Sequence, residues 1–157
     1  MVNLLQIMEN KNILSEIQTE LKAPKGQRNN FGNYNYRSAE DILEAVKPLL
    51  KKHNCALVSN DEMVELSGRV YVKTTVILAF ENTPFASATA FAREALTKKG
   101  MDEAQITGSA SSYSKKYALN SLLAIDDTKD ADFTNKHGKD SPATSTKAVA
   151  KTKSELI

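Results

Sequence analysis

A two-residue alternation between Arg69 and Glu81 constrains the fold of this chain more than any other feature of the sequence. Successive side chains of a β-strand point to opposite faces of a sheet, so such an alternation predicts a strand with two different faces. One predicted face is mostly apolar and comprises Val70, Val72, Thr74, Val76, Leu78 and Phe80. The other is a basic and aromatic row on an exposed face, formed by Arg69, Tyr71, Lys73 and Thr75.

Two neighbouring segments are predicted to pair with this strand. Residues 55–66 form a strand or hairpin arm with an irregularity expected at residues 59–61, and Ser67-Gly68 supplies the turn. After a second turn at residues 82–84, residues 85–93 alternate four alanines with larger side chains, so a helix can approach the sheet closely. Such short connections predict an antiparallel three-stranded sheet.

Three helices are predicted around the sheet. Residues 2–22 carry a narrow apolar seam that contacts either the protein's own core or another subunit, formed by Leu4, Ile7, Leu14, Ile17 and Leu21. A second helix begins at Ser38 with Asp41 in a capping-box pattern, and Pro48 predicts a kink or a late start. A third opens after Gly108. The predicted fold class is α+β, with a three-stranded antiparallel sheet and helices packed on one face.

The 157 residues predict one main domain with two extensions. We expect an N-terminal amphipathic helix over residues 1–24, a core over residues 25–132, and a flexible tail over residues 133–157, where small and polar residues dominate. The single cysteine, Cys55, excludes an intramolecular disulfide. We find no apolar run that predicts a membrane span or a signal peptide, so the cytoplasm is the expected location.

The charge is nearly balanced, with a formal net charge of +2. Residues 1–127 carry 15 basic and 15 acidic side chains, and residues 128–157 carry 6 basic and 4 acidic ones. A nucleic-acid-binding protein of this composition must therefore gather its cations on one surface, or combine the basic patches of many subunits.

Residues 25–37 are the first candidate for binding nucleic acid. This Gly- and Asn-rich segment combines cations for phosphates with flat rings for bases, namely Lys25, Arg28, Phe31, Tyr34, Tyr36 and Arg37. The alternative is a polar loop whose aromatic side chains pack into the core.

Residues 107–132 are the second candidate, and the rest of the chain is expected to build a sheet for this helix. Tyr113 and Tyr117 lie four residues apart, which predicts that they share a face with Ile106 and Ala110 and pack there. An adjacent polar strip contains Lys116 with Ser109 and Ser112. From residue 118 to 125 apolar side chains surround the helix, which is typical of a segment buried in a larger assembly.

Catalytic motifs are mostly missing from the sequence. It contains no P-loop, too few Cys and His residues for a usual zinc site, and no histidine near its serines, so no cofactor or metal is expected. The exception is a group of aspartates that could gather Mg²⁺ in a nuclease, formed by Asp126, Asp127, Asp130 and Asp132. The alternative is that they form the solvated end of the helix or pair with lysines of a neighbouring subunit.

Two long motifs carry a family resemblance. They are GSASSYSKKYALNSLLAIDDTKDAD and NNFGNYNYRSAEDILEAVKPLLKKHN, and they resemble the ERF (essential recombination function) family of phage single-strand annealing proteins over roughly residues 25–132. The order of strands and helices is also similar to that of the wider class of ring-forming annealing proteins, which includes Red-beta. The resemblance implies ATP-independent annealing of complementary DNA strands in homologous recombination, by a ring or filament of subunits and without enzymatic chemistry.

The partners that the resemblance implies are single-stranded DNA, the annealed duplex and further copies of the chain, inside the bacterial host cell. A host single-strand-binding protein is a further candidate, although the short tail has no obvious second domain for it. The matched motifs point to Tyr34, Tyr36, Arg37, Ser109, Ser112, Tyr113, Lys115, Lys116 and Tyr117. The residue pattern alone adds Lys25, Arg28, Arg69, Lys73 and Arg93 as DNA-binding candidates. A metal-dependent nuclease and a structural oligomer that binds no nucleic acid are the competing hypotheses.

Overall fold

The computed structural model describes residues 4–126, with side chains from residue 12 onward. The elements in chain order are α1 (Leu4–Glu20), β1 (Gln27–Asn29), β2 (Tyr34–Tyr36), α2 (Ala39–Lys52), β3 (Cys55–Leu66), β4 (Arg69–Phe80), β5 (Thr83–Arg93) and α3 (Glu103–Leu122). The side chains of Leu4 and Ile7, the last three aspartates of the predicted group and the predicted tail lie outside the described residues.

The main sheet has the strand order β3-β4-β5 and is antiparallel throughout, which confirms the predicted fold class. Val72, Val76 and Leu78 are buried on one face of β4, as the alternation predicts. The irregularity expected at residues 59–61 is wrong, because β3 pairs with β4 without interruption. A register shift lies instead between Leu78 and Ala79, where β4 pairs with β5.

The core lies between the sheet and the helices. Ile17 of α1, Ile42 of α2 and Leu119 of α3 are fully buried and meet Val76 and Leu78 of β4. Three of the four alanines of β5 pack against this core, namely Ala86, Ala88 and Ala90. The small side chains let α3 lie close over β4 and β5, so the predicted role of the alanine row is confirmed.

The start of α2 also follows the prediction. The hydroxyl of Ser38 accepts a hydrogen bond from the backbone N–H of Asp41, and the carboxylate of Asp41 accepts one from the N–H of Ser38. This capping box satisfies donors at the helix start, where no carbonyl of the helix can do so. The helix begins at Ala39 and continues through Pro48. Pro48 therefore does not delay the start of the helix.

Two elements differ from the prediction. Residues 25–37, for which the sequence predicts no strand, contain a short antiparallel hairpin, β1-β2, with Gln27 opposite Tyr36 and Asn29 opposite Tyr34. The helix α3 begins at Glu103 and not after Gly108, because Asp102 and Gln105 form a second capping box six residues earlier. Within residues 4–126, no helix is both long and apolar enough to cross a membrane.

Candidate nucleic-acid interface

The outer surface of α3 presents a lysine between two tyrosine rings. The Nζ atom of Lys116 lies 5.3 Å from the ring centroid of Tyr113 and 5.1 Å from that of Tyr117. Both distances are within the range of a cation–π contact. Tyr113 and Tyr117 are 49% and 42% exposed and Lys116 is half-buried, so the solvent reaches all three side chains.

The exposure of these rings corrects the prediction that they pack with Ile106 and Ala110. Those two residues are buried, but the buried row continues through Ser114 and Ala118. Ser114 is tolerated there because its hydroxyl lies 2.5 Å from the hydroxyl of Thr74 on β4. A buried polar atom costs little when it is hydrogen-bonded, so α3 turns a serine inward and the tyrosines outward.

A cavity of about 140 Å³ brings the hairpin next to this surface. It lies where β2 leads into α2, and its lining includes Tyr36 and Ser38 on one side and Ser112, Tyr113 and Lys116 on the other. We call Tyr36, Tyr113, Lys116 and Tyr117 the tyrosine–lysine cluster. Flat rings beside an ammonium group supply what single strands bind, since bases stack on rings and phosphates meet cations.

Arg37 borders the same cavity but faces inward. Its guanidinium donates hydrogen bonds to the backbone carbonyls of Ala23 and Asp126, and the residue is only 8% exposed. The side chain thus ties the segment after α1 to the segment after α3. A phosphate could reach this guanidinium only if those hydrogen bonds were broken. In the described structure Arg37 therefore has a structural role.

The open face of the sheet is the side of the main sheet that none of the helices within residues 4–126 covers. It carries Lys73, Arg69 and Arg93, because these residues alternate with the buried residues of β4 or pair with their neighbours. The ammonium of Lys73 lies 3.1 Å from the carboxylate of Glu62 on β3. The helix α3 lies against the other face, so Lys73 and Lys116 are on opposite sides of the sheet.

A polar network holds α3 on the sheet beneath the cluster. Asp61 of β3 accepts hydrogen bonds of 2.6 Å from Ser111 and from Thr74. The Thr74 hydroxyl donates its one proton to Asp61, and the single proton of the Ser114 hydroxyl has two acceptors within reach, the Thr74 hydroxyl and the backbone carbonyl of Ser111. Burial alone would raise the pKa of Asp61, but the bonds from Ser111 and Thr74 and the nearby charge of Lys115 outweigh it and lower the pKa.

Comparison with known proteins decides the family. The model of the ERF superfamily matches residues 11–156. The chain belongs to the ERF superfamily. It is 52% identical over 138 residues to the essential recombination function protein of Salmonella phage P22, a match that covers 86% of this chain and 65% of that protein. No solved structure matches the chain.

The match to the ERF superfamily is longer than the stretch on which the resemblance was recognised. The quoted motifs end at residue 132, whereas the family match begins inside α1 and extends to residue 156. The predicted tail is therefore part of what this chain shares with the ERF superfamily.

The structure of this ERF chain brings together only some of the predicted DNA-binding residues. Tyr36 and Lys116 meet at one cavity, and Lys115 lies beside Asp61. Tyr34 is half-buried in the hairpin and Arg28 is exposed there, while Lys25 lies just before β1. Arg69, Lys73 and Arg93 belong to the open face of the sheet. Their contacts with DNA stay predictions.

Two features of the ERF chain escaped sequence reasoning. The first is the Asp61 network, whose only signal is a threonine at an inward position of β4. The second is the full exposure of Phe31 at the tip of the hairpin. Within residues 12–126, no three His, Cys, Asp or Glu side chains lie close enough to hold a metal ion, and of the aspartates proposed for a nuclease only Asp126 falls in this range.

Proposed function

We propose that this chain binds single-stranded DNA and anneals complementary strands without ATP, as a ring or filament of subunits in phage homologous recombination. The observation that carries the proposal is Lys116 between the exposed rings of Tyr113 and Tyr117, on a chain of the ERF superfamily. The name of the phage P22 relative, essential recombination function protein, supports the biological setting. That setting is the cytoplasm of the bacterial host.

The mechanism uses charge and stacking and involves no chemical step. Lys116 meets phosphates, while the rings of the tyrosine–lysine cluster stack on bases and keep the strand extended. Base edges then remain exposed, so that a second strand can test its pairing with the first. Protein contacts of this kind do not read sequence, and base pairing supplies the specificity.

The nearly neutral charge is compatible with this proposal if many subunits act together. A cluster with one lysine binds a strand weakly, but a row of clusters on a continuous strand binds far more tightly because the later contacts are intramolecular. The annealed duplex is the product. A host single-strand-binding protein is the candidate that supplies or covers the strands.

Annealing of two complementary labelled oligonucleotides, followed by fluorescence transfer without ATP or Mg²⁺, tests the proposal. The double variant Tyr113→Ala/Tyr117→Ala should anneal at least tenfold more slowly, because loss of base stacking costs about 1–3 kcal/mol per base. Phe91→Ala is the matched control, because it removes a ring that is 48% exposed on the open face of the sheet. It should anneal at the normal rate.

Two outcomes would favour the competing functions. If the labelled strands are cut in the presence of Mg²⁺, and Asp126→Ala abolishes the cutting, the chain is a nuclease and the proposal fails. If no oligonucleotide binds even at low salt, the chain is a structural oligomer without a nucleic-acid partner.

A further inference from the structure

The tip of the β1-β2 hairpin presents a phenylalanine that touches little else. Phe31 is fully exposed, although a large apolar side chain is normally kept from water. The neighbouring residues 29–33 carry no charge. A bare ring on a neutral turn is typical of an anchor that enters a pocket of a partner.

Side-chain hydrogen bonds make this turn rigid. Arg28 donates to Asn33 and, at 3.0 Å, to Asn35, so it spans the hairpin. The backbone N–H of Gly32 donates to the Oδ1 atom of Asn29 at 2.9 Å, and the Nδ2 atom of Asn29 donates to the hydroxyl of Tyr34 at 3.0 Å. A preorganised turn presents its ring with little further loss of conformational entropy on binding.

Glycine at position 32 allows a close approach in the same turn. A Cβ atom placed there would lie 2.4 Å from a ring carbon of Tyr34, far inside van der Waals contact. The ring of Tyr34 therefore lies against the turn that carries Phe31. A glycine, several asparagine side chains and a tyrosine thus stabilise the turn that carries the exposed ring of Phe31.

A groove with matching chemistry lies elsewhere on the same chain. It is formed where β5 leads towards α3, beside the start of β4, and encloses about 340 Å³. Its apolar lining includes Val70, Leu96 and Ile106, and Leu96 is 77% exposed. Glu94 and Glu103 also line it. A volume of this size lies in the range of about 300–1,000 Å³ that buries compact ligands.

We propose that Phe31 of one copy inserts into the groove at Val70, Leu96 and Ile106 of the next copy. This inference rests on the proposed function, because it supplies the contact that joins the subunits. The charges are complementary, since the hairpin arm carries Arg28 and the groove carries Glu94 and Glu103. Complementary charges favour the correct orientation of two partners.

The geometry of such a contact decides the type of assembly. The tip and the groove are different surfaces of one chain, so each copy offers one of each. We place the tip of each copy in the groove of a different copy, so the contact is heterologous and repeats from copy to copy until it closes a ring or extends as a filament. A reciprocal exchange between two copies would instead give a two-fold symmetric dimer of fixed size.

Nucleic acid is a less suitable occupant for this tip. Residues 29–33 at the tip carry no cation that would meet a phosphate beside the ring of Phe31. The tyrosine–lysine cluster, by contrast, pairs its rings with the ammonium group of Lys116.

The size of the full-length protein without DNA, measured by analytical ultracentrifugation over a range of concentrations, tests this contact. Phe31→Ala and Leu96→Glu should each weaken self-association by roughly 30-fold or more, the effect of losing a central anchor. Both side chains are exposed, so circular dichroism and thermal unfolding should not change. Phe91→Ala, which removes an exposed ring elsewhere, should assemble normally.

Mixing the two variants gives the sharper result. Phe31→Ala retains the groove and Leu96→Glu retains the tip, so one contact can form between them and none can follow it. The mixture should give a dimer and no larger species. If both variants assemble like the unmodified chain, or if the mixture forms full-size assemblies, the contact is wrong.

Two further results separate this inference from the proposed function. If Phe31→Ala assembles normally but binds an oligonucleotide more weakly, Phe31 belongs to the DNA surface and the contact is overturned. If the single variants fail to assemble and the mixture stops at a dimer, while the unmodified assembly binds no DNA, the contact stands and the proposed annealing function fails.

Discussion

The outer surface of α3 and the open face of the sheet contain the same kinds of residues but offer them differently. Each has a lysine near aromatic residues. Lys116 lies beside Tyr113 on the helix, and Lys73 is opposite Phe91 on β5 and two residues from Tyr71 on β4. On the helix, the ammonium group lies over two rings. On the sheet, it lies 3.1 Å from the carboxylate of Glu62. The first surface therefore offers the charge of its lysine to a ligand, whereas on the second the charge of Lys73 is paired with a carboxylate.

Other polar groups of the sheet face are also paired with one another. Thr75 and Thr89 face each other across β4 and β5 with their hydroxyls 2.9 Å apart. Val58 and Phe91 are 57% and 48% exposed on the same face. Its centre is thus neutral and partly apolar, which does not favour contact with phosphates. Composition alone does not distinguish a binding surface, because the decisive contact comes from a neighbouring strand.

The largest expected difference between the two surfaces appears when one lysine is removed from each in turn. Lys116→Ala should weaken binding of an unstructured oligonucleotide by about tenfold at low salt. It should also reduce the slope of log affinity against log salt concentration by about 0.7 to 1, because one phosphate contact is lost. Lys73→Ala should change neither quantity appreciably. Fluorescence anisotropy at several salt concentrations measures both.

The opposite ranking of these two variants would reverse the comparison. If Lys73→Ala lowers the salt slope and Lys116→Ala does not, the bound oligonucleotide lies on the open face of the sheet. The cation–π contacts of Lys116 would then serve only to order the surface of α3.

The sheet and its two faces could be predicted from the sequence because their signals are local and repeated. The alternation of β4 separates Val72 and Val76 from Tyr71 and Lys73, and the structure confirms this separation. The alanine row of β5 and the capping box at Ser38 are equally local, since each depends on spacing within a few residues.

The features that were missed depend on partners distant in sequence or on very short segments. The strands β1 and β2 have three residues each, too few for a periodic pattern. The tyrosines of α3 face outward because Ser114 occupies the inward position, where its hydroxyl has Thr74, 40 residues away, and the backbone carbonyl of Ser111 as partners. Hydrophobic periodicity counts such a serine as polar and assigns the wrong face.

The Asp61 network links the two surfaces, and the substitution Asp61→Asn tests it. An asparagine can accept one of the two hydrogen bonds but brings an N–H₂ group to the other, so we expect a loss of about 1 kcal/mol in the free energy of unfolding at pH 7. The effect should be modest because the carboxylate is partly exposed. Equilibrium unfolding in urea measures this loss. Asp102→Asn is not a suitable control, because Asp102 caps α3. Glu65→Gln on the same strand is the matched control.

The pH dependence gives this prediction its sign. The pKa of Asp61 is lowered in the folded state, so its contribution to stability is present above the ordinary aspartate pKa of about 3.9 and is lost as the pH falls through the lower, folded value. The difference between the unmodified chain and Asp61→Asn should therefore shrink as the pH falls below about 4. A difference that stays constant on acidification would show that the carboxylate charge does not stabilise the contact with α3.

The smallest expected effect concerns the pair of Lys73 and Glu62, and it tests why the two surfaces differ. Cross-strand ion pairs that remain exposed contribute about 0.2–1 kcal/mol, so Glu62→Gln should lower the free energy of unfolding by at most that amount. The same substitution removes the partner of Lys73 and leaves its ammonium group to the solvent. If single-stranded DNA binds only to the surface of α3, Glu62→Gln should change oligonucleotide affinity by less than about twofold. A distant surface charge adds little to the affinity once salt screens it. If Glu62→Gln instead raises oligonucleotide affinity and steepens the salt slope, the ion pair with Glu62 is all that keeps Lys73 from binding DNA. The two surfaces would then differ only in the presence of this carboxylate.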